Sequence, residues 1–158
     1  MPAVQEFRKL LHRVQFLHVA TASRDGQPNA VPKLILAVDD DAVYLVDCTI
    51  GKTWENLKRD PKVSLSFVDE ESLKGYQING NAVVLEGEKI TPELRKLLEE
   101  KEVALTVKRI LSGIHTKKKH EDFEMGMSDK FVVFKVDLLE VVEVGYKGNL
   151  QRQALRKK

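Results

Sequence analysis

The chain has 158 residues, of which 42% are hydrophobic and 32% charged, and its formal net charge is +2. This composition excludes an intrinsically disordered chain, and no apolar run is long enough to cross a bilayer. Cys48 is the only cysteine, which excludes an internal disulfide, argues against a Cys/His zinc site and suits a reducing, cytoplasmic location. We expect one domain over 1–158 with a basic C-terminal tail at 145–158. No aromatic residue lies among its basic residues Arg152, Arg156, Lys157 and Lys158, so nucleic acid is not an expected partner, and the short apolar runs give no reason to expect a membrane.

The first third of the chain predicts one helix followed by three strands. Apolar residues recur at helical spacing after Pro2, and the period then shortens to the alternation typical of strands. The three adjacent aspartates at 39–41 are typical of a solvated hairpin tip, so we expect no metal there. The predicted elements are a helix over 2–15 and strands over 17–23, 30–38 and 42–47.

A short helix with the character of an anion site follows the third strand. Gly51-Lys52-Thr53 lies where this helix, predicted over 52–59, begins, and Asp60-Pro61 ends it. The first amides of a helix lack internal partners and carry the positive end of the dipole, so they attract anions. An ammonium and a hydroxyl at that place complete a phosphate site. The alternative is that Lys52 and Thr53 only decorate a surface helix.

Two strand signals follow the short helix. Residues 63–67 alternate as a half-buried strand should. Asn79-Gly80 lies inside the strand-like segment 76–86 and is a strong local hairpin signal. The alternative is one long strand in which Gly80 lets another backbone or a ligand approach closely. We favour the long strand, because too few residues precede Asn79 to make a partner strand.

The remainder predicts one long helix and a final strand. Thr91-Pro92 has the form of an N-cap followed by proline at the first helical position, and Gly113 is predicted to end a helix over 92–112. A polar loop over 115–128 and a strand over 131–144 follow. The even-numbered residues of this strand are the more apolar set and should face the core. About six strands with hairpin-like links predict a mainly β (α+β) fold, an antiparallel barrel with peripheral helices.

Several segments match a known family in their order and spacing. They are His18–Pro28, Val31–Leu36, Tyr44–Asp47, Gly51–Asn56, Asp60–Val63 and Gly80–Gly87. Together they resemble the FMN-binding split barrels related to pyridoxamine 5′-phosphate oxidase, and among these the small single-domain members. The resemblance covers residues 7–90, and the final strand fits it too.

The resemblance implies a split antiparallel β-barrel that forms a homodimer, with FMN at the dimer interface. By this analogy Lys52 and Thr53 would hold the phosphate. The residues that would run beside the ribityl chain and the ring are Val46, Asp47, Cys48, Thr49 and Ile50. Those that would offer backbone groups to the edge of the isoalloxazine are Val31, Pro32 and Lys33. Tyr76 and Gln77 are candidates to close the site of the other subunit.

The chain departs from true pyridoxamine phosphate oxidases at two places. Thr53 stands where a second basic phosphate ligand is common, and 145–158 has no counterpart of the substrate-binding Arg and His. We therefore expect an FMN-dependent oxidoreductase of another small molecule, with no catalytic residue identified. The alternatives are a non-enzymatic flavin or electron carrier, a deazaflavin-dependent reductase and a haem-binding relative. Cys48 is either a redox thiol beside the flavin or a small buried apolar residue.

Overall fold

The computed structural model describes residues 2–116 and 130–155. Within these ranges the chain forms three α-helices, one 3₁₀ turn at Gly87–Lys89 and seven strands. The helices are α1 (Pro2–Leu11), α2 (Lys52–Arg59) and α3 (Pro92–Thr116). The strands are β1 (Phe16–Ala22), β2 (Pro28–Val38), β3 (Ala42–Asp47), β4 (Lys62–Asp69), β5 (Lys74–Leu85), β6 (Val132–Val144) and β7 (Leu150–Ala154).

The strands form one antiparallel sheet that closes into a barrel. The order is β3-β2-β1-β4-β5-β6-β7, and closure comes from an additional pairing of β3 with β6. Strands β1 to β6 make the barrel, and β7 lies outside it, paired with the end of β6. Closure removes the exposed edges that a six-stranded open sheet would carry. This confirms the predicted antiparallel barrel with peripheral helices.

The interior of the barrel is filled by alternating strand residues. In β1, Leu17 and Val19 are fully buried, whereas Phe16 and the other even-numbered residues point outward. Each fully buried side chain of this size stabilises the fold by about 1.5–3 kcal/mol. Other interior residues with no exposed surface are Val43, Leu45, Leu65, Ile78, Phe134 and Val136.

Helices α1 and α2 close opposite ends of the barrel. α1 inserts Phe7, whose ring centroid lies 6.3 Å from that of Phe67 and 6.0 Å from that of Tyr76. α2 inserts Leu57 together with polar side chains at the end where β1 finishes and β2 begins. One end of the barrel is therefore filled by apolar rings, and the other contains a hydrogen-bonded polar layer.

α3 packs against the outside of the barrel. Leu94 and Leu98 cover Leu34, Val46 and Val133, which face away from the interior. Nowhere in the described ranges does a helix combine the length and the apolar character needed to cross a bilayer.

Several boundaries differ from the sequence predictions. α1 ends at Leu11 and not at residue 15, because the chain turns there on hydrogen bonds to the Leu10 carbonyl. α3 continues to Thr116, since one glycine inside a helix costs only about 1 kcal/mol and does not stop it. Residues 150–154 form β7, where a tail was expected. Most of the predicted loop over 115–128 lies outside the described residues.

β5 is one continuous strand of 12 residues, as the sequence favoured. Asn79 pairs with Glu140 and Gly80 pairs with Leu138, which leaves Leu139 as the extra residue of a β-bulge. Bulges shift the alternation of a strand by one position. The even-numbered residues of β6 accordingly face the core only up to Leu138.

Val141 is the next residue of β6 in the interior cluster. The prediction that every even-numbered residue of this strand faces the core is therefore wrong beyond the bulge. The sequence contained a hint of the bulge, because Gly80 marks a place where backbones approach closely.

We predict that Gly80→Ala lowers the free energy of unfolding by about 2–3 kcal/mol. A Cβ at this position would lie 2.9 Å from Val136 Cγ1 and closer still to the Asp137 carbonyl oxygen. Gly75→Ala in the same strand is the control, since the nearest atom to its Cβ, Val144 Cβ, is 3.8 Å away. Urea unfolding of both variants measures the difference. Equal stabilities would contradict the close approach.

Candidate functional site

The end of the barrel closed by α2 contains a layer of hydrogen-bonded polar side chains. Asn56 Nδ2 donates to Thr21 Oγ1 at 3.0 Å, and Asn29 Nδ2 donates to Thr53 Oγ1 at 3.1 Å. Thr21, Thr53 and Asn56 are all at most 7% exposed. Buried polar groups are costly unless they are hydrogen-bonded, so these pairs fix the position of α2 against β1 and β2.

The two residues predicted as phosphate ligands lie differently at the start of α2. The Thr53 hydroxyl points into the barrel end and accepts a hydrogen bond from Asn29. The group that Thr53 presents at the helix start is therefore its backbone N–H and not its hydroxyl. Lys52 is exposed, and its Nζ lies 2.9 Å from Glu55 Oε2. The hydrogen bond to Glu55 raises the pKa of the Lys52 ammonium, which stays charged at neutral pH.

A cavity of about 480 Å³ lies between the β1–β2 turn and the exposed side of α2. Its charged lining has three cationic side chains and two carboxylates, which leaves one net positive charge. Lys52 and Arg59 are seven residues apart on α2 and share one face of the helix with Glu55. The charged lining residues are Arg24, Asp25, Lys52, Glu55 and Arg59.

The turn between β3 and α2 is held by a buried carboxylate. Asp47 Oδ1 accepts hydrogen bonds from Lys33 Nζ at 2.7 Å, Thr49 Oγ1 at 2.7 Å and the Thr49 backbone N–H at 3.0 Å. The side chains of Lys33 and Asp47 are 10% and 1% exposed. We call Asp47, Lys33 and Thr49 the carboxylate clasp. The Asp47 Oδ2 atom has no hydrogen-bond partner among the described residues.

The charge state of the clasp follows from two opposing effects. Burial acts to raise the pKa of the Asp47 carboxyl, but the hydrogen bonds from Lys33 and Thr49 outweigh it. The pKa of Asp47 therefore lies below its usual value, and the group is an anion at neutral pH.

Ile50 has a left-handed backbone conformation, with a φ of 46°. A β-branched residue is a genuine outlier in that region, since its side chain collides with its own backbone. Such strain persists only when the surrounding structure fixes it, and it is concentrated at functional sites. Here it lies between the clasp and the start of α2.

The other predicted cofactor residues are divided between the two faces of the sheet. Val46 is buried and Cys48 half-buried beneath α3, where burial and then the Asp47 carboxylate raise the pKa of the Cys48 thiol. This supports a packing role for Cys48. Val31 and Pro32 lie in β2 opposite Val19 and His18 of β1. The structure therefore brings Lys33, Asp47 and Thr49 into contact, and it leaves Val46 and Cys48 on the opposite face.

Sequence reasoning missed several residues that contact α2 or line the cavity beside it. Arg59 shares a helix face with Lys52, and helical spacing was a sufficient signal for it. Asn29 and Thr21 carried no such signal, because their contacts with α2 depend on how the β1–β2 hairpin packs. The same packing brings Arg24 to the cavity.

A second cavity, of about 540 Å³, lies on the outer face of the sheet over β1, β4 and β5. It is lined by small and polar residues such as Ala20, Ser64 and Asn79, with Leu139 of the bulge. Phe16 and Val83 on the outward positions of the same strands are 50% and 51% exposed.

We predict that Lys33→Met lowers the free energy of unfolding by about 3–5 kcal/mol at pH 7, because it leaves a buried carboxylate without a cation. In the native protein the pair stabilises the fold above the unfolded pKa of about 4, and this stabilisation is lost as the pH falls through the lowered folded pKa of Asp47. The variant protonates Asp47 more easily, so its deficit should shrink between pH 7 and about pH 4.

Urea unfolding at both pH values measures this deficit. Lys9→Met, which replaces an exposed lysine of α1, is the control and should change stability by less than about 0.5 kcal/mol. A deficit that is the same at the two pH values would contradict the clasp.

Comparisons with known proteins agree with this architecture. The structure resembles HupZ of group A Streptococcus, with 26% identity over 92% of this chain and 96% of that chain and a TM-score of 0.57. It also resembles a pyridoxamine 5′-phosphate oxidase-related, FMN-binding protein of Nostoc punctiforme, with 10% identity over 99% and 95% of the chains and a TM-score of 0.54. HutZ, the haem storage protein of Vibrio cholerae, has 17% identity over 87% and 88%, with a TM-score of 0.56.

These likenesses connect the fold to proteins named for two different ligands, FMN and haem. A comparison with curated proteins found no match. The sequence model of pyridoxamine 5′-phosphate oxidase matches residues 3–144, which is most of the chain. The protein therefore belongs to the pyridoxamine 5′-phosphate oxidase family.

Proposed function

We propose that this protein binds FMN and is an oxidoreductase of a small molecule, with FMN held at the interface of a homodimer. The observation that carries the proposal is the cationic cavity at the start of α2, in a chain of this family. The FMN-binding protein of Nostoc punctiforme has the same fold, which supports the proposal further.

The groups at the start of α2 suit the phosphate of FMN. A dianion needs amide donors and at least one cation, and this place offers the first backbone N–H groups of α2 and the exposed Lys52 ammonium. Arg24 and Arg59 line the same cavity and supply the basic character that Thr53 lacks. Hydrogen bonds to charged groups contribute about 1.5–3 kcal/mol each, so two of them and a partly buried ring are sufficient for micromolar binding.

The remaining part of FMN would lie along β2 and the turn after β3. Thr49 and Ile50 are exposed, whereas the side chains of Val46 and Cys48 lie under α3. Contact with the ribityl chain therefore falls to Thr49, Ile50 and the backbone, and the edge of the ring would meet the backbone of 31–33. When bound, FMN supplies electron transfer in steps of one or two electrons, while the protein binds and orients it.

The proposed substrate is not pyridoxamine phosphate. Arg152 is an arginine near the C-terminus that could serve a substrate phosphate, but its Nη1 lies 2.7 Å from Glu140 Oε2. The strand that carries it, β7, is bound along β6. Arg152 therefore belongs to the β6–β7 pair, and it is not among the residues that line the cavity at the start of α2.

Absorption spectroscopy of the purified protein, titrated separately with FMN and with haemin, tests the choice of cofactor. We expect FMN to bind with a dissociation constant in the micromolar range or below, with quenching of its fluorescence. Binding of haemin with no change in FMN fluorescence would overturn the proposal in favour of a haem protein. Turnover of a reduced flavin with added acceptors then distinguishes an enzyme from an electron carrier.

We predict that Lys52→Ala weakens FMN binding by about 2 kcal/mol, or roughly thirtyfold, and leaves riboflavin binding almost unchanged. Riboflavin lacks the phosphate, so it reports on the ring and the ribityl chain alone. Lys58→Ala is the matched control on the same helix, since Lys58 pairs with Glu86 at 2.8 Å. Equal losses for the two ligands would place the phosphate elsewhere.

The outer sheet face gives the proposed homodimer its contact surface. Small residues such as Ala20 and Ser64 allow a second copy to approach closely, and Phe16, Val68 and Val83 are apolar and at least half exposed. Exposed apolar residues grouped on one face are typical of protein interfaces.

We predict that Ala20→Arg converts the dimer to a monomer and weakens FMN binding at least tenfold, about 1.4 kcal/mol or more. A long cation cannot be accommodated where a second copy lies close to the sheet. Ala104→Arg replaces an exposed alanine of α3 and is the control. Sedimentation velocity measures the masses, and a native protein that is monomeric at micromolar concentration would contradict the dimer.

A further inference from the structure

We propose that Asp47 is the positioning residue of the anion site. It holds residues 48–51 in the conformation that presents the start of α2 to the phosphate. This inference rests on the proposed function, because it concerns how the same site is prepared for FMN.

The contacts of Asp47 bind the turn to the barrel from two sides. Through Lys33 Nζ the carboxylate is attached to β2, and through the Thr49 backbone N–H and hydroxyl it is attached to the second residue after itself. An aspartate that accepts the N–H two residues ahead turns the chain away from the strand. The carboxylate is 1% exposed, so water does not compete effectively for these bonds.

The strain at Ile50 shows that the turn does not adopt this conformation by its own preference. The left-handed backbone of a β-branched residue is unfavourable, and it follows directly after the residue that Asp47 holds. Without that hold, Ile50 would relax toward an ordinary backbone conformation. Gly51 and Lys52 come next in the chain, so relaxation would redirect the first amides of α2 and the ammonium.

The body of α2 is held separately. Its anchors are the Asn56–Thr21 and Asn29–Thr53 hydrogen bonds, which do not involve the clasp, so the part of the helix start that depends on the clasp is residues 50–52. Loss of the clasp should therefore disturb the turn and the helix start while α2 stays docked. This separation predicts a loss of phosphate recognition that is larger than the loss of flavin recognition as a whole.

The test compares binding of FMN and riboflavin to Asp47→Asn, measured by quenching of flavin fluorescence. We expect FMN binding to weaken at least tenfold and riboflavin binding by less than about threefold. Asp40→Asn removes the same charge at the far end of β3, where Asp40 is fully exposed, and should change neither affinity. Parallel losses for the two flavins, in proportion to the fall in melting temperature, would show a merely structural role and overturn the inference.

A rescue experiment tests the stated cause. Asparagine adopts the left-handed conformation more easily than isoleucine, so Ile50→Asn added to Asp47→Asn should recover most of the FMN affinity. If Asp47→Asn fails to fold, Thr49→Val decides the question, since it keeps the ion pair and removes one contact to Asp47. It should lower FMN affinity selectively, and Ile50→Asn should again restore it. Absence of rescue in both backgrounds would overturn the inference.

The outcomes for the two proposals are distinct. A native protein that does not bind FMN refutes the proposed function. A native protein that binds FMN through Lys52, with a selectivity for FMN over riboflavin that Asp47→Asn leaves unchanged, refutes only the role of Asp47.

Discussion

β6 is hydrogen-bonded on both edges along most of its length, and the rest of the structure depends on this. One edge pairs with β5, and the other pairs first with β3 and then with β7. Pairing with β3 closes the barrel, and a closed barrel has two open ends that must be filled. α1 adds Phe7 to the aromatic rings of β4 and β5 at one end, while α2 adds the Asn56 amide and the Thr53 hydroxyl at the other. The polar end is where a helix start, a cationic cavity and the buried carboxylate clasp come together.

The sequence was a good guide to elements and a poor guide to contacts between them. The strands and α2 could be predicted because their signals are local: alternation, turn residues and the Asp60-Pro61 stop. The bulge opposite Gly80 could only be suspected, since its position depends on register with β6. β7 was missed because its five residues carry no apolar alternation and owe their conformation to β6. Thr53 shows how far the site could be predicted from the sequence. Its place at the helix start was correct, but its hydroxyl faces Asn29, which only the packed hairpin brings near.

The fold by itself does not choose the ligand. Proteins named for FMN and for haem share this barrel at 10% and 17% identity to this chain. The side chains at one end of the barrel determine which ligand binds, because function is carried by sites built on folds. In this chain those side chains are a lysine at a helix start and two arginines that line the same cavity with two carboxylates, and they are the basis of the proposal that the ligand carries a phosphate. These side chains concern the phosphate of the proposed cofactor alone, and the identity of the substrate does not follow from them.

The carboxylate clasp and the left-handed backbone of Ile50 affect the stability of the same turn, the one between β3 and α2. A buried ion pair adds little net stability compared with apolar residues of the same size, yet losing one partner is costly. A left-handed isoleucine lowers stability outright. A domain selected for stability alone would have neither feature, since its turn could contain glycine or asparagine and its barrel end could be apolar. The proposed role of Asp47 accounts for their presence side by side directly before Lys52, since the hydrogen bonds from Lys33 and Thr49 to Asp47 would hold a turn that is unfavourable by itself.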